Sequence, residues 1–343
     1  MKAKERNSNI ELLRIIAMFM ILGLHVNMLA LGLPEQIDLI ENPITSFTRI
    51  FFEQLCIIGV NIFVLISGWF GINFKTKGLY NFLFQSLFFS IVLFIPFAIS
   101  GSIELNKINI LSAFLLYKNA YWFVWAYLIL YILSPVLNSF IEYADKRIYK
   151  KVLVLFFVVQ TLVFVFTSCA FFCAGYDPLS FIGLYLLMRY IRKHCIEFNK
   201  FYLLLTWGIC TCINILLCYT GNSTLTTISL AYVNPLNIIS ATAIVLLFTK
   251  ISLKCKAVNY ISASCFAVYL AHMHFCIIDY YKNVAITTFN NYGGIIYIIR
   301  IFLFITIVFA ISVLIDKVRI LAFNKLWGLI EKRENVTQQN NHK

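Results

Sequence analysis

The run NSNIELLRIIAMFMILGLHVNML near the amino terminus holds an arginine and a histidine eleven residues apart, Arg14 and His25. On an α-helix, eleven residues rise about 16.5 Å and come back to within about 20° of the same face. Glu11 lies one turn before Arg14 on that face, where it can pair with the guanidinium. The fork of donors on an arginine suits phosphate or carbonyl oxygens. A histidine deeper in the run can take a proton from a hydroxyl, because imidazole titrates near neutral pH. The pair therefore describes an anion grip at one level and a base at another. A packing role stays open for both, with Arg14 reaching the interface beside Glu11 and His25 satisfied in the interior.

Other candidates follow along the chain. The stretch CIIGVNIFVLISGWFGI contains Asn61, Ser67 and Gly68. Small residues let helices approach closely, and a polar amide at such depth needs a partner. Upstream, Arg49 and Glu53 are one turn apart, set to pair with each other or, for Glu53, to approach His25. Lys75 and Lys77 follow the stretch and offer point charges to phosphate. SASCFAVYLAHMHF carries His272 and His274, which a regular helix separates by about 200°. One faces a cavity and the other lipid or a neighbour, and no metal site is expected from them. Arg300 is set to serve an anionic acceptor or to pair with Asp279.

The elements that position these residues follow from composition. Of 343 residues, 61% are hydrophobic and 13% charged, with 33 Phe and 19 Tyr. That excludes disorder, a collagen-like fibre, a disulfide scaffold and a soluble enzyme, whose surface needs about twice as many charges. The ten cysteines, Cys169, Cys210, Cys212, Cys265 and Cys276 among them, sit mostly inside apolar runs and read as small hydrophobes. The chain reads as an all-α, polytopic membrane protein. About ten spans emerge, roughly 10–32, 48–71, 79–100, 121–141, 151–173, 178–194, 201–220, 230–249, 261–281 and 293–315. The sixth is the shortest and ends in Arg189, Arg192 and Lys193, so a tilt or an interfacial position is expected for it. Residues 1–9 form a short amino-terminal segment, 10–315 the membrane domain, and 316–343 a basic amphipathic tail with Trp327 on the membrane surface.

The formal net charge of +13 maps the topology. Lys2, Lys4, Arg6, Lys75, Lys77, the basic groups at 146–151, 189–200 and 250–256, and those of the tail make 22 of the 28 Lys and Arg, all on one side. Lys107, Lys118 and Lys282 fall opposite, beside the acidic Glu35, Asp38 and Glu41. Positive-inside alternation then sets both termini in the cytoplasm. The excess charge orients the chain and gives no reason to expect nucleic-acid binding. Only Arg14, Arg49 and Arg300 remain, in or beside spans, where an ionisable group needs a partner or a cavity.

The run ELLRIIAMFMILGLH, with its R-x10-H spacing, resembles the acyltransferase 3 family of integral membrane acyltransferases. NIFVLISGWF is similar to that family's F-F-x-L-S-G segment, WFVWAYLILYILSPVLN to its aromatic fourth helix, and SCFAVYLAHMH to its late G-x-Y-L-x-H segment. The resemblance covers about residues 8–315. It implies transfer of an acyl group, commonly acetyl, from cytoplasmic acyl-CoA to a hydroxyl of an extracytoplasmic or lipid-linked glycan. It makes Arg14 and His25 the motif pair, with His25 a base or acyl relay, and His272 the late histidine. Ser67 and Gly68 match the second-helix motif, and Asn61, Ser67 or His272 could supply oxyanion donors. Many members carry arginines after the second helix for the CoA phosphates; GINFKTKGLYNF has only Lys75 and Lys77 there.

The expected protein is a bacterial inner-membrane O-acyltransferase with no bound cofactor. Acyl-CoA would be its donor, a glycan its acceptor and membrane lipids its surroundings; homo-oligomerisation is left open. The alternative is a transporter or flippase, which predicts symmetric halves or broken helices at the midplane. No internal repeat is visible.

Overall fold

The first apolar run forms one helix that changes pitch at His25. In the computed structural model, which describes residues 7–117, 121–167 and 170–341, α1 spans Ser8–Leu24 and continues as a π-helical turn over His25–Ala30. Lys2, Lys4, Arg6, Lys118, Cys169 and Lys343 lie outside the described residues. The protein is 81% helical, with no strand among the described residues.

A short α2 (Gln36–Glu41) leads into α3 (Pro43–Cys56), which starts on a proline whose missing N–H costs nothing there. A break at Ile57–Ile58 leads to α4 (Gly59–Phe70). Then come α5 (Thr76–Ile99), α6 (Lys107–Ala113), α7 (Trp122–Tyr143) and α8 (Lys146–Phe166). After a 3-10 turn at Ala170–Gly175 follow α9 (Pro178–Lys193), α10 (Lys200–Tyr219), α11 (Ser223–Leu230) and α12 (Pro235–Thr249). The last four are α13 (Lys256–Ser262), α14 (Cys265–His272), α15 (Ile278–Asn291) and α16 (Gly294–Asn341).

Eight helices or helix pairs among the described residues are long and apolar enough to cross a bilayer. The two further expected spans differ for physical reasons. Helix α9 has 16 residues, about 24 Å of rise against a hydrocarbon core of about 30 Å. It is an inner helix, with Phe181, Leu184, Tyr185 and Met188 buried and α4, α7 and α8 packed around it. The expected continuous helix over 261–281 is instead broken twice, giving α13, α14 and the start of α15. Irregular backbone at this depth is tolerated where protein surrounds it, and Cys265, Ala267, Val268 and Leu270 are all buried.

Helix α1 lies at the centre, packed by α3, α4, α12, α13, α14 and α16. Its polar start is tied down by Asn9, whose amide donates to the Phe248 carbonyl at 2.7 Å. The glycine of the SGWF segment explains the close seat of α4 on α9: a Cβ at Gly68 would stand 2.8 Å from the Tyr185 carbonyl oxygen. Ile296, Ile299, Phe302 and Leu303 on α16 and Val154, Leu155 and Val158 on α8 are exposed, as lipid-facing surfaces require.

The basic segment after residue 315 continues the preceding helix, and α16 runs on unbroken through Asn341. It is held there by a buried ion pair. Arg319 Nε donates to Asp316 Oδ1 at 2.8 Å, Arg319 Nη1 to Asn81 Oδ1 at 2.7 Å, and Gln85 Nε2 to Asp316 Oδ1 at 3.0 Å. Removing one member of a buried pair strands the other charge, at a cost of about 3 kcal/mol. Arg319→Ala should therefore lower the thermal midpoint of the detergent-solubilised protein strongly. Asp316→Leu combined with Arg319→Leu should recover most of the loss, a non-additivity that a double-mutant cycle reads directly.

Candidate active site

Two histidines 247 residues apart meet at the centre of the fold. His25 Nδ1 and His272 Nε2 are 2.8 Å apart, and His272 Nδ1 is 2.6 Å from the Val268 carbonyl oxygen. A carbonyl oxygen can only accept, so Nδ1 of His272 carries a proton and donates it. With both rings neutral, one proton arrangement satisfies both bonds. His272 Nε2 is then an acceptor, and His25 Nδ1–H donates to it. The remaining nitrogen, His25 Nε2, is left with a free lone pair. The arrangement can aim a base and orient it from behind, the logic of an orienting group behind a catalytic histidine.

Both histidines are held by their backbones. Tyr121 Oη donates to the Leu270 carbonyl at 2.7 Å, fixing the end of α14, and Tyr281 Oη of α15 donates to the Leu22 carbonyl at 2.8 Å, fixing the end of α1. The π turn is secured by the side chain of Asn27. Its amide donates to Glu53 Oε2 at 2.8 Å and to the Arg49 carbonyl at 3.0 Å, and its oxygen accepts from Arg49 Nε at 3.1 Å. Arg49 Nη2 also bonds the carbonyls of Asn27 and Gly32, bridging the turn to the residues after it. The expected Arg49–Glu53 contact is thus made through Asn27. Isolated π turns are costly and recur at functional sites, and this one is clamped from α3.

His25 lines a cavity of about 200 Å³ walled by aromatic rings, including Trp122, Phe123, Tyr176, Tyr232 and Tyr269. The Trp122 and Tyr232 rings stack at 6.0 Å, and Tyr176 meets Trp122 edge-on at 4.6 Å. Asn61 donates to the Tyr232 carbonyl at 3.0 Å, so it supports this wall. Ser67 lies outside this lining, with its hydroxyl 3.1 Å from Tyr127 Oη; Tyr127 in turn stacks on Phe123, a wall residue, at 5.8 Å. Small apolar-walled chambers with few polar groups are the usual form of a substrate site.

At the far end of α1, Arg14 Nη1 lies 3.0 Å from both oxygens of Glu11, and Ser262 Oγ donates to Glu11 Oε2 at 2.6 Å. The same guanidinium lies 5.9 Å from the centre of the Phe70 ring, and Arg192 reaches that ring from α9 at 5.8 Å. Arg192 also donates to the Trp69 carbonyl. Arg189, one turn earlier on α9, sits against Gly71; a Cβ there would be 3.1 Å from its Nη1, and the positive φ of +79° also favours glycine. Among the described residues, Glu11 is the one acid paired in this cluster of three guanidiniums, which leaves positive charge for an anion.

A family model described as an acyltransferase domain matches residues 7–317. The chain belongs to the acyltransferase 3 family. No curated protein and no solved structure matches it.

Within this acyltransferase the residues singled out from sequence are partly gathered. His25, His272, Asn61, Glu53 and their helices converge on the central cavity and its supports. Ser67 and Gly68 tie α4 to α7 and α9. Lys77 turns away from Arg14, pairing with Glu331 at 3.5 Å and lying over Trp327, and Lys75 is exposed. Arg300 packs on the Tyr292 ring at 3.8 Å, while Asp279 pairs with Lys282 at 3.3 Å. His274 is buried away from the pair, 2.9 Å from the Ser90 carbonyl. Sequence reasoning took Arg189 and Arg192 only as topology markers. Their R-x-x-R spacing, one turn apart on a span too short to cross, was the available signal.

Asn27→Leu removes all three side-chain bonds of the clamp and keeps the volume. A base displaced by about 1 Å loses on the order of 100-fold in rate. The variant should lose acyl-transfer turnover on that scale with an unchanged donor KM, measured on protein that still elutes as a single folded species.

Proposed function

We propose that the protein is a membrane-embedded O-acyltransferase of the bacterial cytoplasmic membrane. It moves an acyl group, acetyl by preference, from cytoplasmic acyl-CoA to a hydroxyl of an extracytoplasmic or lipid-linked glycan. The observation that carries this reading is the His25–His272 pair at an aromatic cavity, one helix length from an arginine cluster, in a chain of this family. The charge asymmetry of the loops supports cytoplasmic termini and a cytoplasmic arginine cluster. An even number of spans, eight by the long apolar helices or ten by the charge pattern, sets both termini on one side in this reading.

The donor's phosphates bind at Arg14, Arg189 and Arg192, with the exposed Lys75 adding charge nearby, while Lys77 is engaged by Glu331. Its pantetheine arm is about as long as four to five extended residues, roughly 15 Å. That matches the rise of about 16.5 Å between Arg14 and His25. The thioester carbonyl therefore reaches the cavity while the nucleotide stays at the mouth.

There the acceptor oxygen gives its proton to His25 Nε2 and attacks the thioester carbon, forming the C–O bond. The C–S bond breaks as the tetrahedral adduct collapses, and the departing sulfur takes the proton back from His25 Nε2. His272 accepts the His25 Nδ1–H bond throughout and stabilises the imidazolium while it exists. The aromatic walls take the apolar face of a sugar ring and keep water from the thioester.

Two measurements test this. Protein in vesicles, given radiolabelled acetyl-CoA and the surface glycan of the producing cell, should label the glycan, and His25→Ala should abolish labelling without loss of expression. Undiminished transfer by His25→Ala would overturn the assignment, and transport of unmodified glycan without acyl-CoA would favour a flippase. For the mouth, each charge-assisted bond to phosphate is worth about 1.5–3 kcal/mol. Arg192→Gln should therefore raise the KM for acetyl-CoA about tenfold or more, while leaving the KM for acetyl-pantetheine, which lacks the nucleotide phosphates, unchanged.

A further inference from the structure

The chamber at His25 is not the largest cavity. One of about 620 Å³ lies between α2–α3 on one side and the junction of α15 with α16 on the other. Its walls combine Asp38, Asn42, Thr45 and Arg49 with the rings of Phe289 and Tyr292. Arg49 lies over the Phe289 ring at 5.3 Å. Neither the Asn42 amide nor the Thr45 hydroxyl has a hydrogen-bond partner among the described residues, and both side chains are exposed. Arg49 bonds the π turn through Nε and Nη2, which leaves Nη1 for a ligand.

The chemistry of this wall points to a sugar. A carboxylate, an amide, a hydroxyl and a guanidinium donate to and accept from neighbouring ring hydroxyls, and aromatic faces take the C–H side of a pyranose. A phosphate or other anion fits poorly, because Glu35, Asp38 and Glu41 all lie on or beside α2. The volume is about three times that of the chamber at His25, and the mixed lining contrasts with that chamber's aromatic walls.

The position is as informative as the lining. Thr48, Arg49, Tyr297 and Ile298 also line a second cavity of about 190 Å³ that runs to Val26 and Asn27. The chamber on the other side is bounded by His25, Met28 and Leu29. The π turn His25–Ala30 is thus the partition between the outer cavity and the reaction chamber, and Arg49 is the side chain common to the partition and the outer wall.

We propose that the outer cavity is an acceptor subsite, holding the sugar residue next to the one that is acylated and so selecting an oligosaccharide over a single sugar. This rests on the acyltransferase reading above. The linked chain passes over the outer end of the π turn, one residue on each side of it. A sugar bound to Arg49 Nη1 also bears on the clamp that aims His25.

The test compares a disaccharide and its single sugar, both cut from the surface glycan of the producing cell, as acceptors of label from acetyl-CoA. The wild-type enzyme should prefer the disaccharide in kcat/KM by about tenfold or more, the equivalent of 1.4 kcal/mol. Thr45→Trp, which fills the cavity, should bring that ratio to about one, while Thr45→Ser keeps it. Tyr292→Leu on the opposite wall should lower the ratio independently, should the tryptophan variant fail to fold. General damage would lower both rates and leave the ratio intact; a ratio unchanged in both cavity variants would overturn the subsite. Wild-type transfer to both sugars without preference would overturn the subsite alone. Transfer to neither would overturn the acyltransferase reading and the subsite with it.

Discussion

The carbonyl oxygen of Val268 can accept a hydrogen bond but never give one, and the chemistry of the centre is ordered by that fact. It fixes the proton on His272 Nδ1, and with neutral rings His272 then turns a bare Nε2 toward His25. His25 in turn is left with its lone pair on Nε2. For the relay to exist, α14 must end at His272, and α1 must change pitch at His25. Each departure from regular helix therefore serves the same pair of rings. The clamp of Asn27, Arg49 and Glu53 and the two tyrosine hydroxyls on Leu22 and Leu270 hold those departures in place.

The bilayer sets the second constraint. A lipid-facing helix has to satisfy its own backbone and show apolar side chains, and α8 and α16 do both. Only elements surrounded by protein are free to be short or broken. Helices α9, α13 and α14 use that freedom, and they carry Arg189, Arg192 and His272. The site joins α1, which is long enough to cross and carries Arg14 and His25, to segments that could not cross a membrane alone.

Much of this was legible in the chain. The spacing of Glu11, Arg14 and His25 set an ion pair and a histidine along one helix, and Glu11–Arg14 is found at 3.0 Å. The polytopic all-helical class followed from charge scarcity alone. The His25–His272 pair was not legible from periodicity, since its members are 247 residues apart and helical geometry treats His272 and His274 as equals. What separates them is the break after α14, which no glycine or proline announces. The arginines of α9 were hidden for a different reason: at the end of a span, a charge proposed to bind and a charge that orients look alike. Lys77 shows the converse, a cation near the right motif that α16 draws away to Glu331.

The measurement that bears most directly on the account is nitrogen-15 NMR of histidine-labelled protein in lipid bilayers, with His25 and His272 assigned through His25→Asn and His272→Asn. Long-range couplings report which ring nitrogen carries hydrogen. The account predicts a proton on Nδ1 and none on Nε2 in both rings. A proton on Nε2 of His25 in the resting protein would contradict it, because that nitrogen could not then take the acceptor's proton.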